Sequence, residues 1–531
     1  MLDLGEALRV ATAAAREAGE LLRRERHRAG GPRGAVDKAA ADVEAEEAIR
    51  SRLLAVTPAW AFLGEETGRV AAASGAPVWL VDPNDGTRDF LRGARGSAVS
   101  IGLLVDGRPV LGVVYAFAYP DDEGDLFCWA AGTGPPSRNG RPAVVQLPRE
   151  LGPRDAVLVS SGGDRDPESN LRWSAPARYR SVPSVAHRLA LVATGEAAAA
   201  VSLYAPGAWD YAAGHALLRG SRGVLLDEAG QEVTYASDGS SQVARAFGGS
   251  EVVARELAAR PWRVTTGASA GPRPVRLRPG EAEYDSARLG RAQGFLLGLV
   301  LGSAGEHAAE PQDRPGRLAG QPSAEAEMAL SLARSLATGE VEGTSETDGD
   351  WSATTMDRAA AITLRAMVLG LRGWAWEAGR LADAARREAG IGSGSSAEVA
   401  ARLAAAVAAA VRGQPDARTA ARFALDWAAA EGARGHPAHR AAAVVLQALA
   451  SGLGFEGGLA AAVARSRWGA GPAVAGALLG AVHGRAGLPM AWRVAVLSCR
   501  AHALRVEPAR PARAWPVDVM ELAERLLLLG T

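Results

Sequence analysis

Between residues 76 and 120 the chain carries three apolar runs separated by short polar breaks: "APVWLVDPNDGT", "GSAVSIGLLVDG" and "RPVLGVVYAFAYP". Runs of this length, rich in Val, Leu and aromatic residues, read as strands. Asp106-Gly107 between the last two marks a hairpin turn, because both positions accept positive φ. Upstream, residues 4–25 and 38–54 place apolar side chains at helical spacing, and "AFLGEET" reads as a strand running into a loop. Downstream, "AAAAVSLYAPGAWDYAAGHALLRGSRGVLLD" runs strand, loop, helix and strand again. Strands and helices mixed in this way predict a layered α/β domain. From about residue 288 the strand signals nearly vanish and alanine-rich helical periodicity takes over. A stretch rich in Gly, Pro and Ser, which cannot sustain a helix, lies between the two patterns. The reading is an α/β domain at 1–265, a linker at 266–287 and an all-helical domain at 288–531.

Composition agrees with two domains: 531 residues exceed one ordinary core. The 59 basic and 59 acidic side chains cancel, which removes the general electrostatic argument for nucleic acid or an anionic membrane as partner. The short basic cluster "RRERHR" at 23–28 reads as a solvated helix face. Cys128 and Cys499 stand far apart, so neither a disulfide framework nor a cysteine zinc site is expected, and a reducing cytoplasmic compartment is. No apolar run reaches the roughly 20 residues that span a bilayer, and the N-terminal segment lacks the uninterrupted apolar stretch of a signal peptide.

The chemistry concentrates in "VDPNDGTRDF" at 81–90. Pro83 stiffens the end of a strand and Gly86 permits a tight turn, so Asp82 and Asp85 are presented together. A helix beginning near Thr87 would aim free N–H groups at the same point. Paired carboxylates beside such donors suit magnesium, which takes oxygen ligands and bridges protein carboxylates to substrate phosphate. An aspartate turn with a helix cap is the alternative.

With "GEET" at 64–67 and "WDYAAGHALL" at 209–218, the motif resembles the inositol monophosphatase superfamily across residues 1 to about 260. The resemblance implies an αβαβα phosphatase fold. It implies two or three magnesium ions held by Glu65, Asp82, Asp85, Asp210 and the Asn84 carbonyl, and inhibition by lithium. Thr87 and Glu65 would orient the nucleophilic water, and Asp42, from the weaker match "VDKAAAD", would assist at a more weakly held ion. Gly86 and Thr87 would receive the phosphate. Asn84 stands where the superfamily usually has Ile or Leu; its carbonyl still serves, and its amide is expected to alter the surroundings. Glu66 is assigned to a supporting or exposed position. Arg88, Ser184, His187 and Arg188 are candidate substrate contacts, with an exposed salt bridge the alternative for Arg88 and helix packing or capping for His187 and Arg188. The substrate class is a small phosphorylated metabolite: an inositol phosphate, a sugar phosphate or a 3'-phosphonucleotide.

In the second half Gly294, Gly298 and Gly302 repeat every fourth residue and predict a helix face that permits close packing. This segment, with 322–342 and 469–493, resembles the all-helical ADP-ribosylglycohydrolase family, whose metal carboxylates are missing here. Gly302, Ser303 and Ala304 stand in place of Gly-Asp-Ala, and Ser323, Ala324, Glu325 and Ala326 in place of Thr-Asp-Asp-Thr. Arg467, Trp468, Gly469 and Ala470 align with the late acidic motif. A catalytically inactive domain is expected, serving as support, as a homodimer contact or as a ligand sensor. The acidic "TDGDW" at 347–351 reads as a solvated loop, and "HPAH" at 436–439 lacks companions for zinc. Two further readings remain open: a non-catalytic nucleotide or ADP-ribose binding protein, and a bifunctional enzyme.

Overall fold

A computed structural model of the chain describes residues 3–36, 38–263, 285–304, 317–339, 357–388, 395–413, 437–465 and 470–530. It divides into two compact units, the first essentially the N-terminal half and the second the C-terminal half.

The first unit begins with two helices, α1 (Leu4–Arg26) and α2 (Ala40–Val56), separated by the two-stranded hairpin β1 (Gly34–Ala35) and β2 (Lys38–Ala39). There follow β3 (Ala61–Gly64), β4 (Gly68–Val70), β5 (Val78–Asp85), the single-turn helix α3 (Thr87–Leu91), β6 (Ala98–Val105), β7 (Arg108–Ala116), β8 (Asp125–Ala130), β9 (Ser137–Arg138) and β10 (Arg141–Pro142). These strands from β3 onward form one sheet in the order β10-β9-β8-β7-β6-β5-β3-β4. The chain continues through β11 (Ala156–Val159), α4 (Pro167–Ser174), β12 (Arg178–Ser181), α5 (Val185–Ala193), β13 (Ala199–Ser202), α6 (Ala208–Gly220), β14 (Val224–Leu226), β15 (Ala246–Gly249) and α7 (Glu251–Ala258). Its five strands pair as β12-β11-β13-β15-β14.

Helices α1 and α2 cover one face of the large sheet, α5 and α6 lie between the sheets, and α4 and α7 cover the outer face of the small one. The result is the αβαβα sandwich expected from the sequence. It forms because β5 and β6 are buried almost throughout, and a sheet buried on both faces must be covered by helices on both. Asp106 and Gly107 take φ of 49° and 68°, as the hairpin between β6 and β7 requires.

The basic cluster at 23–28 departs from its reading as a solvated face. Glu25 and Arg26 are buried. Arg26 donates to the Gly93 carbonyl at 2.7 Å, Glu25 accepts from the Arg33 backbone at 2.7 Å, and Arg23 donates to the Tyr115 hydroxyl at 3.0 Å. The end of α1 is therefore a bracket for neighbouring loops; polarity in the sequence reported charge but not the polar partners waiting for it.

In the second unit the named elements among the described residues are all helical: α8 (Ser286–Ser303), α9 (Ala324–Thr338), α10 (Arg358–Arg372), α11 (Ala378–Glu388), α12 (Ser395–Arg412), α13 (Pro437–Ala450), α14 (Phe455–Arg465), α15 (Gly471–His483), α16 (Met490–Leu497) and α17 (Val519–Leu528), with short 3₁₀ turns. Asp285 caps α8, accepting from the Arg288 N–H at 3.1 Å, so the helix takes in the last two residues of the expected linker, 286 and 287. The rest of the linker assignment, residues 266–284, lies outside the described residues, as do 264–265, 347–351, His436 and 467–469.

The glycine stripe packs as expected. A Cβ on Gly294, Gly298 or Gly302 would stand 2.2, 2.0 or 2.0 Å from the carbonyl oxygens of Gly480, Gly476 and Pro472 on α15. Conversely, one on Gly476 or Gly480 would stand 2.2 or 2.0 Å from the carbonyls of Gly298 and Gly294. Two antiparallel helices thus meet backbone to backbone. Among the described residues no helix is long and apolar enough to cross a membrane.

Candidate metal and phosphate site

The site is built at the C-terminal end of β5. A spacing of three would set Asp82 and Asp85 on opposite faces of a regular strand, since side chains alternate. Pairing with β6 shows how the chain avoids this: Asp82 faces Ser100 but Asp85 faces Ala98, so β5 carries one extra residue between them. Such a bulge restores the alternation and returns both carboxylates to one side. Gly86, at φ 100°, then turns the chain into α3, whose first residue is Thr87.

Three other elements deliver the remaining acids. Glu65 follows β3, held by its N–H bond to the Val81 carbonyl at 3.1 Å. Asp210 lies in the first turn of α6 and accepts from the Gly207 N–H at 2.9 Å. Asp42 lies in the first turn of α2, buried, accepting from the Ala39 N–H at 3.3 Å.

Their electrostatics identify one cluster. Asp82 is held well above the usual carboxylate range by burial and then by Glu65, Asp85 and Asp210. Asp210 is raised likewise, by burial and then by Asp85 and Glu65. Glu65 reaches solvent as a residue, yet loss of water around its carboxyl pushes it up to about 7, with Glu66, Asp85 and Asp42 adding to the rise. Asp82 hydrogen-bonds to both Glu65 and Asp210. Burial also raises Asp85, against donation from Ser184 Oγ at 2.6 Å and the Ala186 N–H at 2.7 Å.

As the side chains stand, no three acidic, histidine or cysteine residues among those described close around a single ion. The carboxylates instead rest on nearby donors: Asp82 on the Asn84 N–H at 2.8 Å, Asp85 on Ser184 Oγ and Asp210 on the Gly207 N–H. Their chemistry nevertheless fits a hard divalent cation: every donor is an oxygen, Asp82 and Asp210 are raised by the acids around them, and a cation would supply the positive charge that such a cluster lacks.

Asp42 anchors the adjoining half of the site. Asn84 Nδ2 donates to its Oδ1 at 3.0 Å, and Thr87 Oγ1 lies 3.1 Å from its Oδ2 and 2.9 Å from the Asn84 carbonyl. Burial pushes the Asp42 carboxyl up to about 6, and these donors hold it from rising further.

The sequence candidates Ser184, His187 and Arg188 depart from the expectation of substrate contact: all three are buried behind the acids. Ser184 holds Asp85 and caps α5, accepting from the His187 N–H at 2.9 Å. His187 packs between the rings of Tyr119 and Phe127, with centroids 4.9 and 5.8 Å away, and burial pushes it down to about 4. Arg188 donates to the Val182 and Pro183 carbonyls at 2.7 and 2.8 Å and to Ser202 Oγ at 2.7 Å. Burial pushes its guanidinium down to about 10, while Asp85 and Asp210 oppose the fall. Arg88 is exposed on α3.

Glu46 was not singled out from the sequence. It is fully buried on α2 and accepts from the Glu66 N–H at 3.0 Å and from the Thr67 N–H and hydroxyl, each at 2.6 Å. Gly64 makes room for it, since a Cβ there would lie 2.1 Å from Glu46 Oε1. The turn carrying Glu65 is thereby pinned. A surface depression of about 400 Å³ elsewhere in the unit, bordered by Asp227, Thr234 and Ser240, contains none of these acids.

A five-layered αβαβα domain with buried carboxylates gathered at the end of a central strand is the architecture of a metal-dependent phosphatase acting on small phosphorylated substrates. The comparisons with known proteins carry the assignment one step further: residues 3–261 match the model of the inositol monophosphatase family. Inositol monophosphatase 1 of Solanum lycopersicum is 33% identical over 255 residues, covering 44% of this chain and 89% of the relative. The 3'(2'),5'-bisphosphate nucleotidase CysQ of Escherichia coli is 30% identical over 198 residues, covering 37% of this chain and 78% of that protein. A solved inositol monophosphatase from Anabaena is 27% identical and covers 48% of this chain and 95% of its own, with a TM-score of 0.39. Through its N-terminal half the chain belongs to the inositol monophosphatase family.

Proposed function

We propose that the chain is a magnesium-dependent phosphomonoesterase that hydrolyses a small phosphorylated metabolite: an inositol phosphate, a sugar phosphate or a 3'-phosphonucleotide. The crowding of Glu65, Asp82, Asp85 and Asp210, in which Glu65, Asp85 and Asp210 raise Asp82 while Asp85 and Glu65 raise Asp210, is the observation that carries the reading. These four and the Asn84 carbonyl are the groups that would hold the metal. Bound there, magnesium supplies positive charge to the phosphoryl oxygens and makes a water more acidic.

The chain's own groups place and deprotonate that water. Thr87 has one hydroxyl proton and two acceptors within reach, Asp42 and the Asn84 carbonyl. Were a cation to engage the carbonyl, the proton would be left to Asp42, and the Thr87 oxygen would be free to accept from water. Asp42, raised to about 6, is suited to take a proton near neutral pH. Glu65 orients the water from the other side, and the Gly86 and Thr87 N–H groups receive a phosphate oxygen. Water attacks phosphorus, the ester P–O bond breaks, and the alkoxide leaves as the alcohol after protonation.

For the second unit we propose a non-catalytic domain related to the ADP-ribosylglycohydrolases. Two contacts support the loss of its chemistry. Glu327 is buried in a bidentate pair with Arg510, and Glu325 accepts a backbone N–H from Asp357 at 3.2 Å. Glu327, at least, is not left to face a metal.

The test is phosphate release with and without magnesium across inositol phosphates, sugar phosphates and 3'-phosphoadenosine 5'-phosphate, with Asp85→Asn as control. Magnesium-dependent turnover lost in Asp85→Asn is expected. Metal-independent turnover, or none on any of these classes, would overturn the proposal.

A further inference from the structure

Asp42 is pinned along both edges by different groups. Its Oδ2 lies near the Thr87 hydroxyl and the Ala39 N–H, at 3.1 and 3.3 Å. Its Oδ1 receives the Asn84 amide at 3.0 Å. Remove the amide and only one edge is held, leaving the carboxylate free to rotate about χ2, a soft torsion. The rest of the Asn84 side chain gives little back. It is fully buried, and its Oδ1 has no hydrogen-bond partner. A buried carbonyl without a donor opposes folding. The useful end of the side chain is therefore its N–H end.

The bulge places it there. Because β5 carries an extra residue between Asp82 and Asp85, Asn84 is directed toward α2 while the two aspartates share the opposite side with Asp210. One residue thus joins the two halves of the site: its main-chain carbonyl lies within 2.9 Å of Thr87 Oγ1, and its side chain lies on Asp42.

We propose that the side-chain amide of Asn84 is a positioning residue for hydrolysis, fixing the Asp42 carboxylate so that the Thr87 hydroxyl always finds an acceptor in the same place. Thr87 is then relieved of holding Asp42 by itself and can keep its oxygen toward the water. The amide acts through Asp42 and touches neither substrate nor reacting atoms. This role rests on the phosphatase reading.

The experiment is a double-mutant cycle of Asn84→Leu, close in shape but without a donor, with Asp42→Asn in the full chain, followed by kcat, KM and magnesium-induced thermal shift. Asn84→Leu is expected to lower kcat about 10-fold or more, the usual effect of removing a group that orients a metal-site residue, with KM little changed. The magnesium concentration giving half the maximal thermal shift is expected to rise about 10-fold. On top of Asp42→Asn, neither loss recurs. Should Asn84→Leu fail to fold, Asn84→Val replaces it in the cycle. A wild-type kcat in the apolar variant, or an equal further loss in the Asp42→Asn background, would sink the proposal. The thermal-shift arm separates the two readings. If the wild type releases no phosphate while Asn84→Leu still displaces the magnesium midpoint only when Asp42 is present, the phosphatase reading fails and takes the hydrolytic role with it, leaving only the amide's hold on Asp42. If the midpoint is not displaced, the positioning role fails.

Discussion

The hydroxyl of Ser184 donates to Asp85 Oδ2 at 2.6 Å, and the same oxygen of Ser184 accepts the His187 N–H that opens α5. One hydroxyl thereby ties a buried carboxylate to the start of a helix between the two sheets. Ser184→Ala is expected to cost about 1 kcal/mol through the lost cap and to lower phosphate release roughly 10- to 100-fold through the released Asp85. Ser184→Thr should keep most of both. Urea unfolding and steady-state kinetics measure the two effects separately, and an alanine variant with full activity would rule out the link to Asp85.

The acids of the site make the metal-free protein sensitive to rising pH. Burial raises the Glu65 carboxyl to about 7 and the Asp42 carboxyl to about 6. An acid with a raised value binds protons more tightly when folded, so its contribution is complete below about pH 4 and is lost as pH climbs through about 6 to 7. Magnesium, replacing the protons, should stabilise little at pH 4 and progressively more toward pH 8. Urea midpoints with and without magnesium across that range give the difference directly; a difference independent of pH would refute it.

His215 acts in the other direction. It is buried, 3.1 Å from the Tyr235 hydroxyl, and burial pushes it down to about 3. The unfolded chain therefore takes up a proton that the folded one refuses, and stability falls as pH drops from about 6.5 toward 3. His215→Gln should flatten the acid side of the stability profile while leaving the magnesium-dependent side in place. An unchanged acid limb would show that His215 does not titrate on unfolding.

Glu46 serves the turn that carries Glu65, with three hydrogen bonds to Glu66 and Thr67. Glu46→Gln keeps the shape but turns an amide N–H₂ toward groups that are themselves donors. About 1–3 kcal/mol of stability should be lost, with kcat lowered more than KM is raised under the proposed role of Glu65 in orienting the water. Unchanged kcat in a destabilised protein would confine Glu46 to the fold.

In the second unit, Gly298→Ala would drive a methyl to within 2.0 Å of the Gly476 carbonyl. The helices must separate, at a cost of about 1–3 kcal/mol or more. Differential scanning calorimetry should show a lowered transition while Asp85-dependent phosphate release persists at moderate temperature. An unshifted transition would mean that the pair tolerates the spacing.

The sequence was most informative where local chemistry decides structure. The Asp106-Gly107 turn, the helix beginning at Thr87 and the glycine stripe all follow from what those residues can and cannot do with their own backbone. It was least informative where partners come from distant segments. Asn84 has no preferred direction until α2 supplies Asp42. Glu46 is one acid among several on α2, and only the approach of Gly64 distinguishes it. Ser184, His187 and Arg188 were placed near the site by chain order, which says nothing of depth; packing between two sheets put them beneath it.

The backbone contact of α8 and α15 also sets an order of events during synthesis. The stripe at Gly294, Gly298 and Gly302 has its counterpart at Pro472, Gly476 and Gly480, so the first described helix of the unit waits for one made near the end of the chain. Until then it presents bare peptide groups and a row of positions without side chains. The N-terminal unit, by contrast, has all five layers once α7 has emerged. A nascent chain can thus carry a finished phosphatase domain while the helical half is still unpaired, and shortening the C-terminus past α15 would leave α8 without its mate.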